Sequence, residues 1–257
     1  MADLSRRRLL IIAGGAIMAT AVYPFIEPYF VDINEILIPL GLNLRVLHLT
    51  DLHLRDFSFK DEAFAIISKL SSNVDLTFIT GDFYDEGTES LDLVKKYVSR
   101  IKGIKIGVLG NHEHWASNKF PLERGLQVLE DAGVRILINE KINFGGKSIG
   151  GIDWYEDENS IGREYLSEIG EVDILLSHTP DVIGLEPKAK LVLAGHTHGG
   201  QVDFPLFGPL WIPSKYGAKY AKGLFKIENT YMYVNRGLGE MAPIRFNSRR
   251  EIVTITL

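Results

Sequence analysis

Five short polar clusters, each following an apolar run, hold the residues of this 257-residue chain best suited to chemistry. They are Asp51-Leu52-His53, Gly81-Asp82, Gly110-Asn111-His112-Glu113, Ser177-His178 and Gly195-His196-Thr197-His198, and they contain five of the seven histidines. Pooled, Asp51, His53, Asp82, Asn111, His178, His196 and His198 offer carboxylate and amide oxygens and imidazole nitrogens, with no sulfur. That donor set suits first-row divalent cations such as Mn, Fe or Zn. Seven ligands exceed one tetrahedral zinc and suit two ions that share a carboxylate. Two cations roughly 3.5–4 Å apart form a clamp for displacement at phosphorus and bring a bridging water to a pKa of about 7. The sequence has no cysteine, which excludes disulfides, thiolate metal sites, iron–sulfur clusters and a thiol nucleophile.

The elements that must position these clusters alternate. Val46–Thr50, Leu76–Thr80, Lys105–Leu109, Asp173–Ser177 and Leu191–Ala194 read as buried strands. Amphipathic segments at Asp61–Ser71 and Ser90–Arg100 lie between the first three, with Phe64, Ile67 and Leu70 on one face of the first and Leu91, Val94 and Val98 on one face of the second. Pro121–Ala132 reads as a third helix stopped by Gly133. The second half is richer in strand, at Lys141–Phe144, Lys147–Asp153, Gly223–Ile227, Met232–Asn235 and Glu251–Thr254. The expected fold class is α/β, with two sheets packed face to face and helices outside. Each polar cluster then sits at a strand end, where ligands of open α/β sheets converge in one crevice.

The ordered set Asp-x-His, Gly-Asp-x-x-Asp, Gly-Asn-His-Glu, lone His and Gly-His-x-His, running from Asp51 to His198, resembles the calcineurin-like metallophosphoesterases. The resemblance implies a four-layer α-β-β-α sandwich of two mixed sheets. It also implies a metal-dependent hydrolase acting on a phosphodiester or pyrophosphate through a metal-bridging hydroxide. By position, Asp51, His53 and His198 would hold one metal, Asn111, His178 and His196 the second, and Asp82 would bridge. His112 would contact the phosphoryl oxygen or protonate the leaving group, with Asp85 orienting it; the alternative for Asp85 is a cap on the turn after its strand. Gly-His-Thr-His-Gly-Gly-Gln (195–201), Arg-Gly-Leu-Gly (236–239) and the N-terminal segment are similar to an exported or membrane-associated branch that includes UDP-diacylglucosamine hydrolase-like enzymes. That likeness extends the expected substrates to lipid-linked phosphates and nucleotide sugars. The chain departs from the branch at Ser248-Arg249-Arg250-Glu251, where a Pro-Pro-Glu-type sequence is expected. The alternatives are a phosphomonoesterase of the same fold and a non-catalytic metal-binding scaffold.

Other residues read more plainly. His48 is expected to be structural and His114 to lie at the surface or behind the site. Gly146-Lys147-Ser148-Ile149-Gly150 matches the Gly-x-Ser-x-Gly of serine hydrolases, but it falls at a tight turn between two strands rather than a strand-to-helix elbow. The apolar stretch 202–213 could meet an acyl chain or a membrane surface, and the favoured expectation is a loop or hairpin packing on its own domain. Arg245, Arg249 and Arg250 could approach a substrate phosphate, and the favoured expectation is a solvated or salt-bridged strand end.

Residues 1–30 are expected to be a signal or anchor, leaving 31–257 as the phosphoesterase domain. Arg6, Arg7 and Arg8 precede an apolar run, Leu9 to Tyr23, that is too short for a comfortable span. The layout resembles a twin-arginine export signal, which makes that export machinery an expected partner and an extracytoplasmic location the expected one. Cleavage near Ala19-Thr20-Ala21 and retention as a membrane anchor are both open. The net charge is −5; residues 1–21 hold three arginines and one aspartate, so the remainder carries −7. A domain that acidic lacks the footprint of a general nucleic-acid binder, and no specific nucleic acid is expected.

Overall fold

The computed structural model describes residues 22–55, 60–156, 161–240 and 242–257. Residues 1–21 of the expected signal or anchor, including the candidate cleavage stretch Ala19-Thr20-Ala21, lie outside the described residues. The first sheet contains β1 (Val31–Leu37), β2 (Arg45–Leu49), β3 (Leu76–Thr80), β4 (Ile104–Val108), β5 (Val134–Ile136) and β14 (Arg250–Thr256), in the order β1-β14-β2-β3-β4-β5. Its strands β2 to β5 are parallel and β14 runs antiparallel to β2. The second sheet contains β6 (Glu140–Phe144), β7 (Lys147–Gly151), β8 (Val172–Leu176), β9 (Ala189–Ala194), β12 (Gly223–Ile227) and β13 (Thr230–Val234), in the order β12-β13-β9-β8-β7-β6. Strands β7, β8, β9 and β13 are parallel, with antiparallel edges at β6 and β12.

Strand periodicity divides the apolar residues between layers. Val46, Phe78 and Ile106 of the first sheet face Ile174, Leu191 and Leu193 of the second, forming the central core. Their neighbours Leu47, Leu49 and Ile79 point outward against helices α1 (Lys60–Ser71), α2 (Leu91–Val98) and α4 (Leu122–Asp131), and α3 (Asn111–Trp115) is the turn carrying the third cluster. Phe64 and Ile67 of α1 and Leu91, Val94 and Val98 of α2 are buried there, the faces read from the sequence. Ser90 caps α2 by accepting from the Asp92 amide at 3.1 Å. On the far side, Leu175, Val192 and Met232 pack with Ile169 of α5 (Ile161–Ile169) and with Val182 and Leu185 of the 3₁₀ segment Pro180–Leu185. The expected four-layer α-β-β-α sandwich is the observed one.

The Gly-Lys-Ser segment is the expected turn. Phe144 pairs with Lys147, and Gly145 and Gly146 turn the chain at φ of 56° and 82°, a two-residue connection that suits glycine. Ser148 Oγ donates to Asp173 at 3.0 Å and is no nucleophile elbow.

The boundary expected at residue 30 falls inside packed structure. Glu27 is buried and accepts from the amides of Asn247 at 2.9 Å and Ser248 at 2.7 Å, and Pro24 accepts from the Arg245 amide at 2.9 Å. Among the described residues no helix is long and apolar enough to cross a membrane.

Candidate metal centre

The C-terminal ends of the parallel strands β2, β3 and β4 in one sheet and β8 and β9 in the other lead directly into the five polar clusters. Leaving a strand and turning a side chain back into the crevice forces an unusual backbone. Asp51, His53, Asp82, His196 and His198 all have positive φ, between 40° and 70°. Non-glycine residues pay a conformational penalty there, and such strain concentrates at functional sites.

The side chains converge. Asp51, His53 and His198 form one group of donor atoms within 4.8 Å of one another, and Asp82, His178 and His196 form another. Asp82 links the two, with Oδ2 lying 3.2 Å from His178 Nε2 and 3.5 Å from His53 Nε2. Asn111 Oδ1 is 3.0 Å from His178 Nε2, and His196 Nδ1 is also 3.0 Å away. The seven ligand candidates are therefore one constellation, and all are buried.

Hydrogen bonds behind the histidines set which nitrogen faces inward. His178 Nδ1–H donates to the Thr80 carbonyl at 2.7 Å, which leaves its Nε2 as an acceptor toward Asn111 and Asp82. His53 Nδ1–H donates to Asp85 Oδ2 at 2.8 Å, and its buried Nε2 has no hydrogen-bond partner. Acceptors facing acceptors are stable only around positive charge, carried by a proton or a cation. The electrostatics agree. Burial pushes the His178 pKa down, but the Asp82 carboxylate outweighs it and raises it to about 9. Burial would raise Asp82, yet the neighbouring His178 and His53 hold it well below the carboxylate range. Burial keeps His198 neutral, with a pKa near 3, and burial with the His178 charge does the same for His196. His196 and His198 are thus neutral beside ionised carboxylates, and a divalent cation between them and Asp82 would take the place of the proton that His178 otherwise holds.

The calcineurin-like phosphoesterase family profile matches residues 44–200, more than half of the chain. The uncharacterized metallophosphoesterase YkuE of Bacillus subtilis (strain 168) is 31% identical, across 100% of this chain and 99% of that protein. The chain belongs to the calcineurin-like phosphoesterases. The phosphodiesterase YaeI of Escherichia coli (strain K12) is 36% identical over a shorter stretch, 35% of this chain and 34% of that protein. The crystal structure of TT1561 from Thermus thermophilus shares the fold, with a TM-score of 0.50 at 13% identity over 76% of this chain and 90% of that one.

One pairing expected for this phosphoesterase is corrected. Asp85 does not lie behind His112. Its carboxylate binds His53 Nδ1 and the Arg55 Nε–H, at 2.9 and 2.8 Å for its two oxygens. Burial pushes Asp85 up, but the His53 hydrogen bond and both neighbouring charges leave it at about 2. The carboxylate behind His112 is Glu86, whose Oε2 accepts from His112 Nδ1–H at 2.7 Å. The two acids are adjacent in sequence, and only the turn after β3 decides which histidine each reaches. His112 itself lies between the rings of His53 (4.8 Å) and Trp115 (4.9 Å), and its amide donates to Asp82 Oδ1 at 3.0 Å.

Three further contributors had no assigned role in the sequence. Glu113 accepts from the amides of Gly110 (2.7 Å), Asp82 (3.0 Å) and Tyr84 (3.1 Å), tying the second and third clusters together. Its place three residues after the helix-entry glycine is a capping signal that could have found it. Burial and the Asp82 charge push its pKa up to about 7, against the three amide donors. Trp154 packs near His196 and His178, at 5.2 and 5.9 Å between ring centroids. The Arg-Gly-Leu-Gly segment passes behind the first cluster, where the Leu238 amide donates to Thr50 O at 3.2 Å and the Gly239 amide to Asp51 O at 2.6 Å.

His48 is structural, fully buried with Nε2 against Thr80 Oγ1 at 3.0 Å. His114 is half-buried and donates to Asp153 at 2.9 Å. Arg250 pairs with Glu240, while Arg245 is fully buried and donates to the carbonyls of Arg236, Gly239 and Ser248. At the point of departure from the branch, Ser248 Oγ donates to the His198 carbonyl at 2.8 Å.

Proposed function

We propose that this phosphoesterase hydrolyses phosphodiester or pyrophosphate bonds at a dinuclear metal centre held by Asp51, His53 and His198 on one side and Asn111, His178 and His196 on the other, with Asp82 between. The observation that carries the reading is the acceptor-only face around His178 Nε2, where Asn111, Asp82 and an imidazole whose hydrogen is already committed to Thr80 look toward one another. Two divalent cations bound there would supply charge neutralisation at phosphorus and a water acidified to about neutral pH. The chain's own residues do the rest. Asp85 and the Thr80 carbonyl hold the His53 and His178 tautomers, and Glu86 holds the His112 ring with Nδ1 protonated. As an imidazolium paired with Glu86, His112 can then give its Nε2 proton to the departing oxygen and remain the neutral ring with Nδ1–H on Glu86. Trp115, exposed beside His112, forms a wall for the departing group.

The preference for diesters and pyrophosphates over monoesters follows the family branch that the 195–201 and 236–239 segments resemble, as does the extension to lipid-linked or nucleotide-sugar substrates. Export through the twin-arginine machinery and action outside the cytoplasm follow the arginine-led apolar N-terminus. The test is turnover by metal-replete protein of bis(4-nitrophenyl) phosphate, 4-nitrophenyl phosphate and a nucleotide-sugar pyrophosphate. Diester or pyrophosphate is expected to turn over fastest, and His112→Ala to lower kcat by about 10²–10⁴-fold with metal content unchanged. No turnover of any of the three by protein carrying two metals would sink the reading.

A further inference from the structure

The stretch 202–213 forms a hairpin that packs Val202, Phe204 and Ile212 partly on the domain and leaves its other large apolar residues outside. Strands β10 (Asp203–Phe204) and β11 (Gly208–Pro209) pair antiparallel, and the tip and outgoing arm project outward. Leu206 is 89% exposed, Phe207 87%, Leu210 71% and Trp211 63%. Four large apolar side chains on one short hairpin are a costly display in water and mark a binding surface.

Charge and chain continuity identify what the surface meets. From Phe204 to Ile227 the sequence holds four lysines, at 215, 219, 222 and 226, and no Asp or Glu, in a chain of net charge −5. The acid at the hairpin's base, Asp203, is neutralised by Lys222 Nζ at 2.7 Å. Tyr23 also lies close to the base of this hairpin. The Tyr23 ring packs edge-on against Phe246 at 6.0 Å, and Phe246 packs against Phe204 at 5.4 Å. Phe25, Tyr29 and Phe30 nearby in the chain are exposed, and the sequence before them is the apolar run that starts at Leu9. An apolar tip with a lysine-rich flank, on which Asp181 is engaged by the Ser214 hydroxyl and the Lys215 amide and Asp203 by Lys222, next to the point where an apolar segment joins the domain, matches an anionic lipid interface.

We propose that the 202–213 hairpin is a docking element for an anionic lipid surface. Its place couples docking to the candidate centre, because Leu210, Trp211 and Pro213 share a cavity of about 270 Å³ with Thr197 and the candidate ligand His198. Docking brings that cavity, and with it the metal centre, to the headgroup layer. A second copy of this chain would be the competing occupant.

The absence of cysteine makes a site-specific test direct. Full-length Leu206→Cys and Ile104→Cys are each labelled with an environment-sensitive fluorophore. Ile104 is exposed and starts β4, at the strand end opposite the metal centre. With phosphatidylglycerol-containing vesicles, iodide quenching of the label at 206 is expected to fall several-fold while that at 104 is unchanged. Leu206→Ser/Phe207→Ser is expected to lower vesicle partitioning by at least about tenfold, with turnover of a soluble diester retained. Equal quenching at both positions in vesicle-bound protein would overturn the proposal. So would concentration-dependent protection at 206 without vesicles, which would assign the surface to self-association. The vesicle readout needs neither metal nor turnover, so its failure is separable from failure of the phosphoesterase reading.

Discussion

Gly237→Ala tests how closely the segment behind the first cluster positions the candidate metal ligand Asp51. Gly237 has φ of +71°, and a Cβ there would lie 2.7 Å from the Asp51 Cβ and 3.3 Å from its carboxylate. The left-handed backbone alone costs an alanine roughly 1–2 kcal/mol. The contact adds more, because two carbons normally sit about 3.5–4.0 Å apart, so Asp51 or the 236–239 segment must yield by about 1 Å. A displacement of that size at a reacting centre costs on the order of 10² in rate. Gly146→Ala is the control. Gly146 has φ of +82° with nothing within 4 Å of the added Cβ, so it carries the backbone cost without the collision. Both variants are expected to lose about 1–2 kcal/mol in urea unfolding from backbone strain, with Gly237→Ala losing somewhat more. In diester turnover with matched metal loading, Gly146→Ala should equal wild type, and Gly237→Ala should fall about a hundredfold. If Gly237→Ala kept activity within about threefold of the control, the inference that this segment fixes Asp51 to the precision assumed here would be refuted.

The corrected carboxylates separate two functions. Asp85→Asn should weaken metal affinity by about 10–100-fold through His53, while Glu86→Gln should leave metal content intact and lower kcat through His112. Equal effects of both on metal content, measured by elemental analysis, would contradict the assignment. His48 gives an acid sensitivity unrelated to turnover. Burial, partly opposed by the Glu251 and Asp51 charges, lowers its pKa from 6.5 to about 4, so the unfolded chain takes the proton first. Its contribution is therefore full above pH 6.5 and is lost as pH falls toward 4, about 2 kcal/mol between pH 7 and 5. Chelator-treated wild type should lose that much more than His48→Gln over this interval in urea unfolding. Chelation itself should abolish turnover and lower Tm. Re-addition of Mn²⁺ at about a hundredfold excess over Kd should restore turnover with about 2.7 kcal/mol of stabilisation for each site filled, and activity that survives complete metal removal would contradict the metal reading.

The sequence by itself determined the layers and the list of candidate ligands. Strand and helix periods are local properties, so the faces of α1 and α2 and the buried strands could be read within one or two residues of their observed bounds. The polar clusters were legible because Asp, His and Asn interrupt runs of Val, Ile and Leu. What needed the tertiary structure were features made by partners distant in sequence. Strand β1 exists because Val31–Leu37 pairs with β14 more than 200 residues later. The choice between Asp85 and Glu86 for His112 depends on how one turn is held, and neighbouring acids look alike in a motif. The exposure of Leu206 and Phe207 reverses the packing expected of an apolar stretch. Hydrophobicity says that a side chain will seek a partner, and only the assembled surface shows whether its own domain provides one.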